Sequence, residues 1–303
     1  MNLSKIYSTI DTHVAGEPFR IVTQSSMMLS KNDLILNNEI LKKKYKKEKA
    51  FLLNEPRGHR GMTGCIITSS EIADYGLLFF SHEDVDFKFG GLIASLTALL
   101  ETGNLPVDQQ GNYRIETIHG VYQLKANFMD GEVQEVYLES DESFFIESSH
   151  DYDVVHVGPR IYLIYSLPSS IPSMELAHVS EITNWGRATV NKLKENNVEF
   201  DGVIMTEQND KNDYIRSVTF EKDGSIYRSA NIDSTVAILT AKRQKSNEVE
   251  QLTNESIFGS YITVNYLVHK ENRYSTRLKA FITGIHEFVY DEDDPFNDGF
   301  ILK

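Results

Sequence analysis

Gly90-Gly91-Leu92-Ile93-Ala94-Ser95-Leu96-Thr97-Ala98-Leu99-Leu100-Glu101-Thr102, closed by Gly103 with Pro106 soon after, decides the layout of this chain. The stretch is apolar nearly all round, which predicts a buried helix rather than one lying on a surface. A glycine past the last apolar position, followed by proline, is a helix stop. Working outward, residues 19–23 are rich in β-branched side chains, and residues 64–68 and 76–80 are apolar runs bounded by turn residues. Residues 112–117 and 134–139 alternate, and all of these segments predict strands. A second helix is predicted over residues 233–244, with Asp233 or Ser234 as its N-cap. Lys242 and Arg243 suit its C-terminal end. The pattern therefore repeats: strands, a buried helix, more strands, and the same again. Leu167-Pro168-Ser169-Ser170-Ile171-Pro172-Ser173 punctuates the middle, and a helix-like stretch over about 175–196 follows. The crossover between halves is expected between about 140 and 170. This gives a first domain over 1–150 plus a tail from about 290, and a second over 151–289.

The 303 residues carry 30 Lys and Arg against 44 Asp and Glu, a formal net charge of −14. That balance argues against nucleic acid or an anionic membrane as partner, since both need clustered cations. The cluster Lys42-Lys43-Lys44-Tyr45-Lys46-Lys47 is short and reads as a solvated helix or loop face. The single cysteine, Cys65, excludes an internal disulfide framework and a cysteine-based zinc site. The N-terminus lacks the apolar core of a signal peptide, and no run approaches the roughly 18 apolar residues of a membrane span, so a cytoplasmic protein is expected. No phosphate-binding loop, dinucleotide fingerprint or metal-ligand spacing is present, so neither cofactor nor metal is expected. His82-Glu83-Asp84-Val85-Asp86 gathers acids around one histidine, too little for a metal site.

Ile10-Asp11-Thr12-His13-Val14-Ala15-Gly16-Glu17-Pro18-Phe19-Arg20 resembles the opening of the proline racemase family, which includes hydroxyproline epimerases and trans-3-hydroxyproline dehydratases. Glu55-Pro56-Arg57-Gly58-His59-Arg60-Gly61-Met62 is similar to a second family signature. Thr97-Ala98-Leu99-Leu100-Glu101-Thr102-Gly103 is similar to the helix after the first catalytic motif, and the tail Asp294-Pro295-Phe296-Asn297-Asp298-Gly299-Phe300 also fits. The resemblance implies an α/β (α+β) fold of the diaminopimelate-epimerase kind: two similar domains, each a strand-rich shell around a central helix, with the active site in the cleft between them. It further implies that both central helices aim their N-termini at the substrate carboxylate, which suits their unpaired N–H groups and partial positive charge.

Racemases of that family use two cysteines, one on each face of the α-carbon. The first stands in Met-Cys-Gly-His, and a gapless alignment sets Phe87-Lys88-Phe89-Gly90 against it, so Lys88 takes the cysteine position and Gly90 the histidine position; a gap would place Phe89 there instead, and either way the thiol is gone. The second stands in Asp-Arg-Ser-Pro-Cys-Gly-Thr-Gly-Thr, against Tyr227-Arg228-Ser229-Ala230-Asn231-Ile232-Asp233-Ser234-Thr235. Asn231 replaces that thiol and is neither acid nor base. Tyr227 replaces an Asp that helps hold the substrate ammonium, and Ile232-Asp233-Ser234 replaces the Gly-Thr-Gly that cradles the carboxylate. Asp233 is either a charge opposed to a bound carboxylate or simply the helix N-cap. Cys65, on a strand expected away from both motifs, reads as core.

The resemblance thus implies a catalytic pair Lys88 and Asn231, with Gly90, Gly91, Tyr227, Ser229, Asp233, Ser234, Thr235 and His13 as the substrate-binding set. Burial and the helix dipole both disfavour the ammonium form of Lys88, and a neutral amine is a general base or a nucleophile. The alternative is a lysine that snorkels to solvent or pairs with Glu83, Asp84 or Asp86. His13 and His59 read as structural residues of their signatures. Three functions follow: an isomerase or lyase of altered chemistry on a small amino- or imino-acid derivative; an inactive family member that binds a ligand or partner; and ordinary proline racemisation, which the missing thiols oppose. A homodimer suits any of them.

Overall fold

The strands predicted from apolar runs form, and they are joined by others whose alternation is weaker. The computed structural model describes residues 3–30, 33–82, 85–208 and 214–301. In chain order the elements are β1 (Leu3–Val14), β2 (Glu17–Gln24), α1 (Leu34–Lys44), α2 (Lys46–Leu53), β3 (Thr63–Thr68), β4 (Tyr75–Phe80), α3 (Phe89–Glu101), β5 (Asn112–Thr117), β6 (Gly120–Met129) and β7 (Glu132–Glu139). They continue with β8 (Ser143–Ser148), β9 (Asp153–Val157), β10 (Arg160–Ser166), a 3-10 turn (Leu176–His178), α4 (Val179–Glu195), β11 (Gly202–Gln208), β12 (Tyr214–Glu221), α5 (Ile232–Lys245), β13 (Gln251–Ser256), β14 (Tyr261–Tyr266), β15 (Tyr274–Leu278) and β16 (Ala280–Asp291).

The chain divides into Met1–Val136 with Lys279–Lys303, and Tyr137–Leu278. These boundaries fall earlier than residues 150 and 289. β16 pairs antiparallel with β1 along its whole length, from Val14 opposite Ala280 to Leu3 opposite Asp291, so the returning segment begins at Lys279. β8 and β9 pair with each other and lead into β10, which places residues after 136 in the second unit.

In the first unit the strand order is β16-β1-β2-β3-β4-β5-β6-β7. The buried helix α3 packs against β1, β2, β3 and β16, and its residues from Gly91 to Leu100 are all buried. That burial is what an all-round apolar surface requires. Its C-terminus closes through Gly103 in a left-handed conformation (φ 71°), one residue earlier than expected. α1 and α2 cover β4 and β3 and complete a second core layer with Phe51, Leu52 and Leu53. The Asp33 side chain caps α1 by accepting the Leu36 N–H.

The Glu55–Met62 signature has a mechanical role here. Arg57 donates to the carbonyls of Phe51, Phe296 and Asn297, and Glu55 and Phe300 exchange both backbone hydrogen bonds (3.0 Å each). The signature therefore clamps the C-terminal segment onto the end of α2. His59 Nδ1 lies 2.9 Å from the Arg60 carbonyl, inside the same turn.

In the second unit the order is β8-β9-β10-β11-β12-β13-β14-β15. α5 packs on β8, β9, β10, β13 and β14, and α4 covers β12 from outside. α4 is amphipathic and buries Ile182, Gly186, Val190 and Leu193; at Gly186 a Cβ would lie 2.1 Å from the Phe220 ring. The helix-like stretch expected over 175–196 is thus a 3-10 turn followed by a helix.

Candidate functional site

The first set of candidate residues lies at the start of α3. Lys88 is the N-cap, in extended conformation, and makes no side-chain cap bond. Its ammonium is not at the surface: the residue is 2% exposed, and Nζ donates to Glu17 Oε1 at 2.9 Å. Glu17, itself 4% exposed, is the first residue of β2, just past the Ala15-Gly16 turn where both residues have positive φ. The turn aims the Glu17 side chain inward under α3, and its carboxylate supplies the opposite charge that a buried ammonium requires. The expectation that Lys88 snorkels to solvent is corrected accordingly. Asp86 is engaged by Lys42 (3.3 Å) and His119 (3.3 Å), and Glu83 and Asp84 lie outside the described residues.

Gly90 and Gly91 permit close packing of the first turn. A Cβ on Gly90 would lie 2.8 Å from the Phe19 ring, and one on Gly91 would lie 2.3 Å from Phe79 and 3.2 Å from Cys65 Sγ. Cys65 is therefore not remote from the first motif; it lies directly beneath it. Its thiol is wholly buried, and that burial pushes its pKa up despite the charge of Lys88. It stays a protonated thiol and a packing group.

His13, in β1, is half-buried and stacks on Phe281 with ring centroids 5.2 Å apart. Its Nδ1 accepts the Gly16 N–H (3.3 Å), which assigns the proton of the neutral ring to Nε2. Burial lowers its pKa below the ordinary 6.5. The unfolded chain then binds this proton more readily than the folded one. The contribution is fully present above the ordinary value and is lost as pH falls through it. The urea midpoint of the wild type is expected to fall more than that of His13→Gln between about pH 7.5 and about pH 5.5; parallel curves would show that His13 is not the group responsible.

The second set surrounds the start of α5. The N-cap is Asn231, not Asp233 or Ser234, and its Oδ1 accepts the Ser234 N–H at 3.4 Å. Its backbone is left-handed (φ 57°), which asparagine tolerates better than most side chains, so the chain turns and the helix starts at Ile232, one residue early. Its N–H donates to Ser229 Oγ (3.1 Å), and its carbonyl accepts from Thr235 Oγ1 (2.6 Å). Ser234 Oγ accepts from Thr219 Oγ1 (2.7 Å), and Thr235 Oγ1 also accepts from Asn254 Nδ2 (3.0 Å). Asp233 is buried in the first turn, where a carboxylate suits the dipole, and its charge acts on the buried Arg160. Arg160 Nη2 donates to the hydroxyl of Tyr227 (3.1 Å), so Tyr227 is held by a cation of the chain itself.

The structure thus gathers Lys88, Gly90 and Gly91 in the first unit, and Tyr227, Ser229, Asn231, Asp233, Ser234 and Thr235 in the second. Sequence reasoning missed Glu17 and Arg160. Glu17 stands within the opening signature, and an acid just past a glycine turn, at the start of a strand, is its signal. Among the described residues no three His, Cys, Asp or Glu side chains gather as a metal ion would require, and no helix is long and apolar enough to cross a membrane.

A family model described as proline racemase matches residues 9–301. A trans-3-hydroxy-L-proline dehydratase of Bacillus cereus is 30% identical over the whole of both chains. A proline racemase of Clostridioides difficile is 26% identical, again over the whole of both. A hydroxyproline epimerase of Agrobacterium vitis, solved with bound trans-4-hydroxy-L-proline, has a TM-score of 0.85 at 19% identity, with 100% of this chain and 96% of that one covered. A PhzF-family protein of Bacillus anthracis has a TM-score of 0.64 at 13% identity, covering 94% and 99% of the two chains. These two structures establish a shared fold.

Proposed function

From the premise that the chain belongs to the proline racemase family, we propose that it binds a small amino or imino acid without racemising it by the two-thiol route. The observation that carries this reading is the buried Lys88–Glu17 pair at 2.9 Å, with lysine where the resemblance sets the first thiol. Racemisation needs a base on one face of the α-carbon and an acid on the other, both effective near neutral pH. An ammonium held by a carboxylate is no base. Asn231 cannot exchange a proton, and its side chain is spent on capping α5. Cys65 is held as a buried thiol.

The two helix starts also differ as carboxylate sites. That of α5 already holds an Asn cap and a buried Asp233, so a second carboxylate there meets like charge. That of α3 has no side-chain cap bond and no acid in its first turn, and the nearby Glu17 carboxylate is offset by the Lys88 ammonium it holds. The ligand carboxylate is therefore assigned to α3.

A second reading, an isomerase or lyase of altered chemistry, is favoured by one feature of the same pair. Transfer of the Nζ proton to Glu17 Oε1 leaves a neutral amine, a single base for one face. A single base with no second proton-exchanging group gives one-sided exchange or elimination. Proton NMR in D₂O decides between them, with both proline enantiomers, the 4-hydroxyproline epimers and trans-3-hydroxyproline. Saturable binding by calorimetry with no loss of the α-proton signal is expected. Loss of that signal, or a dehydrated product, that vanishes in Lys88→Met would establish the second reading. Absence of binding to every compound would overturn the first.

A further inference from the structure

We propose that Asp86 and His119 are positioning residues for the ligand site at the start of α3: together they fix the irregular backbone that carries Lys88 to the helix. The proposal rests on the assignment of the ligand carboxylate to α3.

Residues 85–88 belong to no helix or strand, yet they deliver the buried Lys88 to its place as N-cap. Lys88 makes no side-chain cap bond, so its own side chain does not lock the first turn; its carbonyl accepts the Gly91 N–H at 3.0 Å. A loop at a binding site keeps a productive geometry when surrounding groups lock it. Here the two residues just before Lys88 are both held.

Asp86 is gripped from two elements. Its Oδ1 accepts from His119 Nε2 and its Oδ2 from Lys42 Nζ, both at 3.3 Å. A carboxylate only accepts, so this contact assigns a proton to Nε2 of the ring. Lys42 stands in the last turn of α1, and His119 in the turn that joins β5 to β6. The hydrogen bond from His119, ahead of the charge of Lys42, holds the Asp86 carboxyl below its ordinary range against the opposing effect of burial.

Phe87 is held by its ring. It is 2% exposed, stacks on Tyr122 with centroids 5.0 Å apart, and meets Phe79 and Phe89 edge-on. The His119 ring meets it edge-on as well, with centroids 5.6 Å apart and planes at 78°. One imidazole therefore holds two successive residues, Asp86 through Nε2 and Phe87 through the ring. Its own turn is fixed in the same way: the His119 N–H donates to Thr117 Oγ1 (3.1 Å), which donates to the Gly120 carbonyl (3.1 Å). A displacement of about 1 Å at a site of this kind can cost about a hundred-fold, so the clasp acts on affinity without touching the ligand.

Calorimetry of the full chain with the proline and hydroxyproline compounds named above, together with amide hydrogen exchange, tests this. Asp86→Ala removes both bonds. His119→Phe keeps a ring against Phe87 and removes the donor alone. Asp86→Asn keeps an acceptor for His119. Asp86→Ala and His119→Phe are each expected to weaken binding about ten-fold and to speed exchange over residues 85–95, with exchange in α5 unchanged. Asp86→Asn should restore both readouts nearly to the wild-type values, which a loss of general stability would not allow. If Asp86→Ala melts early, His119→Phe is read instead. Unchanged exchange over 85–95 in both disruptive variants overturns the clasp, and Asp86→Asn as impaired as Asp86→Ala overturns the part given to His119. If the wild type gives no saturable heat with any compound, the carboxylate assignment falls, and the exchange rates alone decide whether Asp86 and His119 hold the junction.

Discussion

Lys88→Met is expected to destabilise the unit that holds α3 by about 3–5 kcal/mol, the cost of leaving a buried charge without its partner. Lys88 and Glu17 are 2% and 4% exposed, so water cannot replace the lost ammonium. Glu17→Gln is expected to cost a similar amount from the other side. The double variant Glu17→Gln/Lys88→Met should recover most of the loss, because a buried ion pair costs much of its attraction in desolvation and its removal as a whole is often near neutral. The measurement is the urea midpoint of the first unit's transition for the four proteins, with the coupling read from the double-mutant cycle. Single losses below about 1 kcal/mol would mean a solvated pair, with the range of exposed ion pairs. The same variants bear on function: a retained fold in the double variant with lost ligand binding would show that the ammonium is kept for the ligand as well as for Glu17.

The sequence makes some layers of this molecule readable and hides others, for physical reasons. α3 is legible because an all-round apolar helix can only be buried, and the C-terminal ends of α3 and α5 follow from glycine, proline and basic residues over a few positions. The strands at 64–68, 76–80 and 112–117 are legible for the same local reasons. Partners far apart in sequence are not. β16 joins β1 across the whole length of the chain, and no local pattern announces it; hence the early boundary at Lys279. Glu17 meets Lys88 across 71 positions, whereas the acids near Lys88 in sequence drew attention first. The strand that carries Cys65 was legible, but its place beneath Gly91 depends on sheet order. Asn231 reads in sequence as a replaced thiol, and its capping role depends on its left-handed backbone. The family resemblance agrees with the family model that matches residues 9–301, yet the chemistry of the replaced positions had to be read from contacts.

Arg20→Met is the other substitution with a large expected effect, about 3 kcal/mol or more. Asp11 and Arg20 face each other in the β1–β2 register, and Arg20 grips the carboxylate with two bonds, Nε to Oδ1 at 2.8 Å and Nη2 to Oδ2 at 2.7 Å. Nη1 also donates to the Leu52 carbonyl, and the guanidinium lies 4.4 Å from the centre of the Phe288 ring. One side chain thus ties β1, the end of α2 and β16 together. Methionine restores most of the volume but none of the donors, and leaves Asp11, with 13% of its side chain exposed, facing His286 at 3.6 Å. Arg20→Lys keeps the charge and loses the planar fork, the bond to Leu52 and the stacking on Phe288. Its urea midpoint should therefore fall nearer to that of Arg20→Met than to that of the wild type. A lysine variant as stable as the wild type would show that charge alone matters at this position. The geometry argues otherwise, because the arginine meets three separate segments through three different edges of one rigid plane.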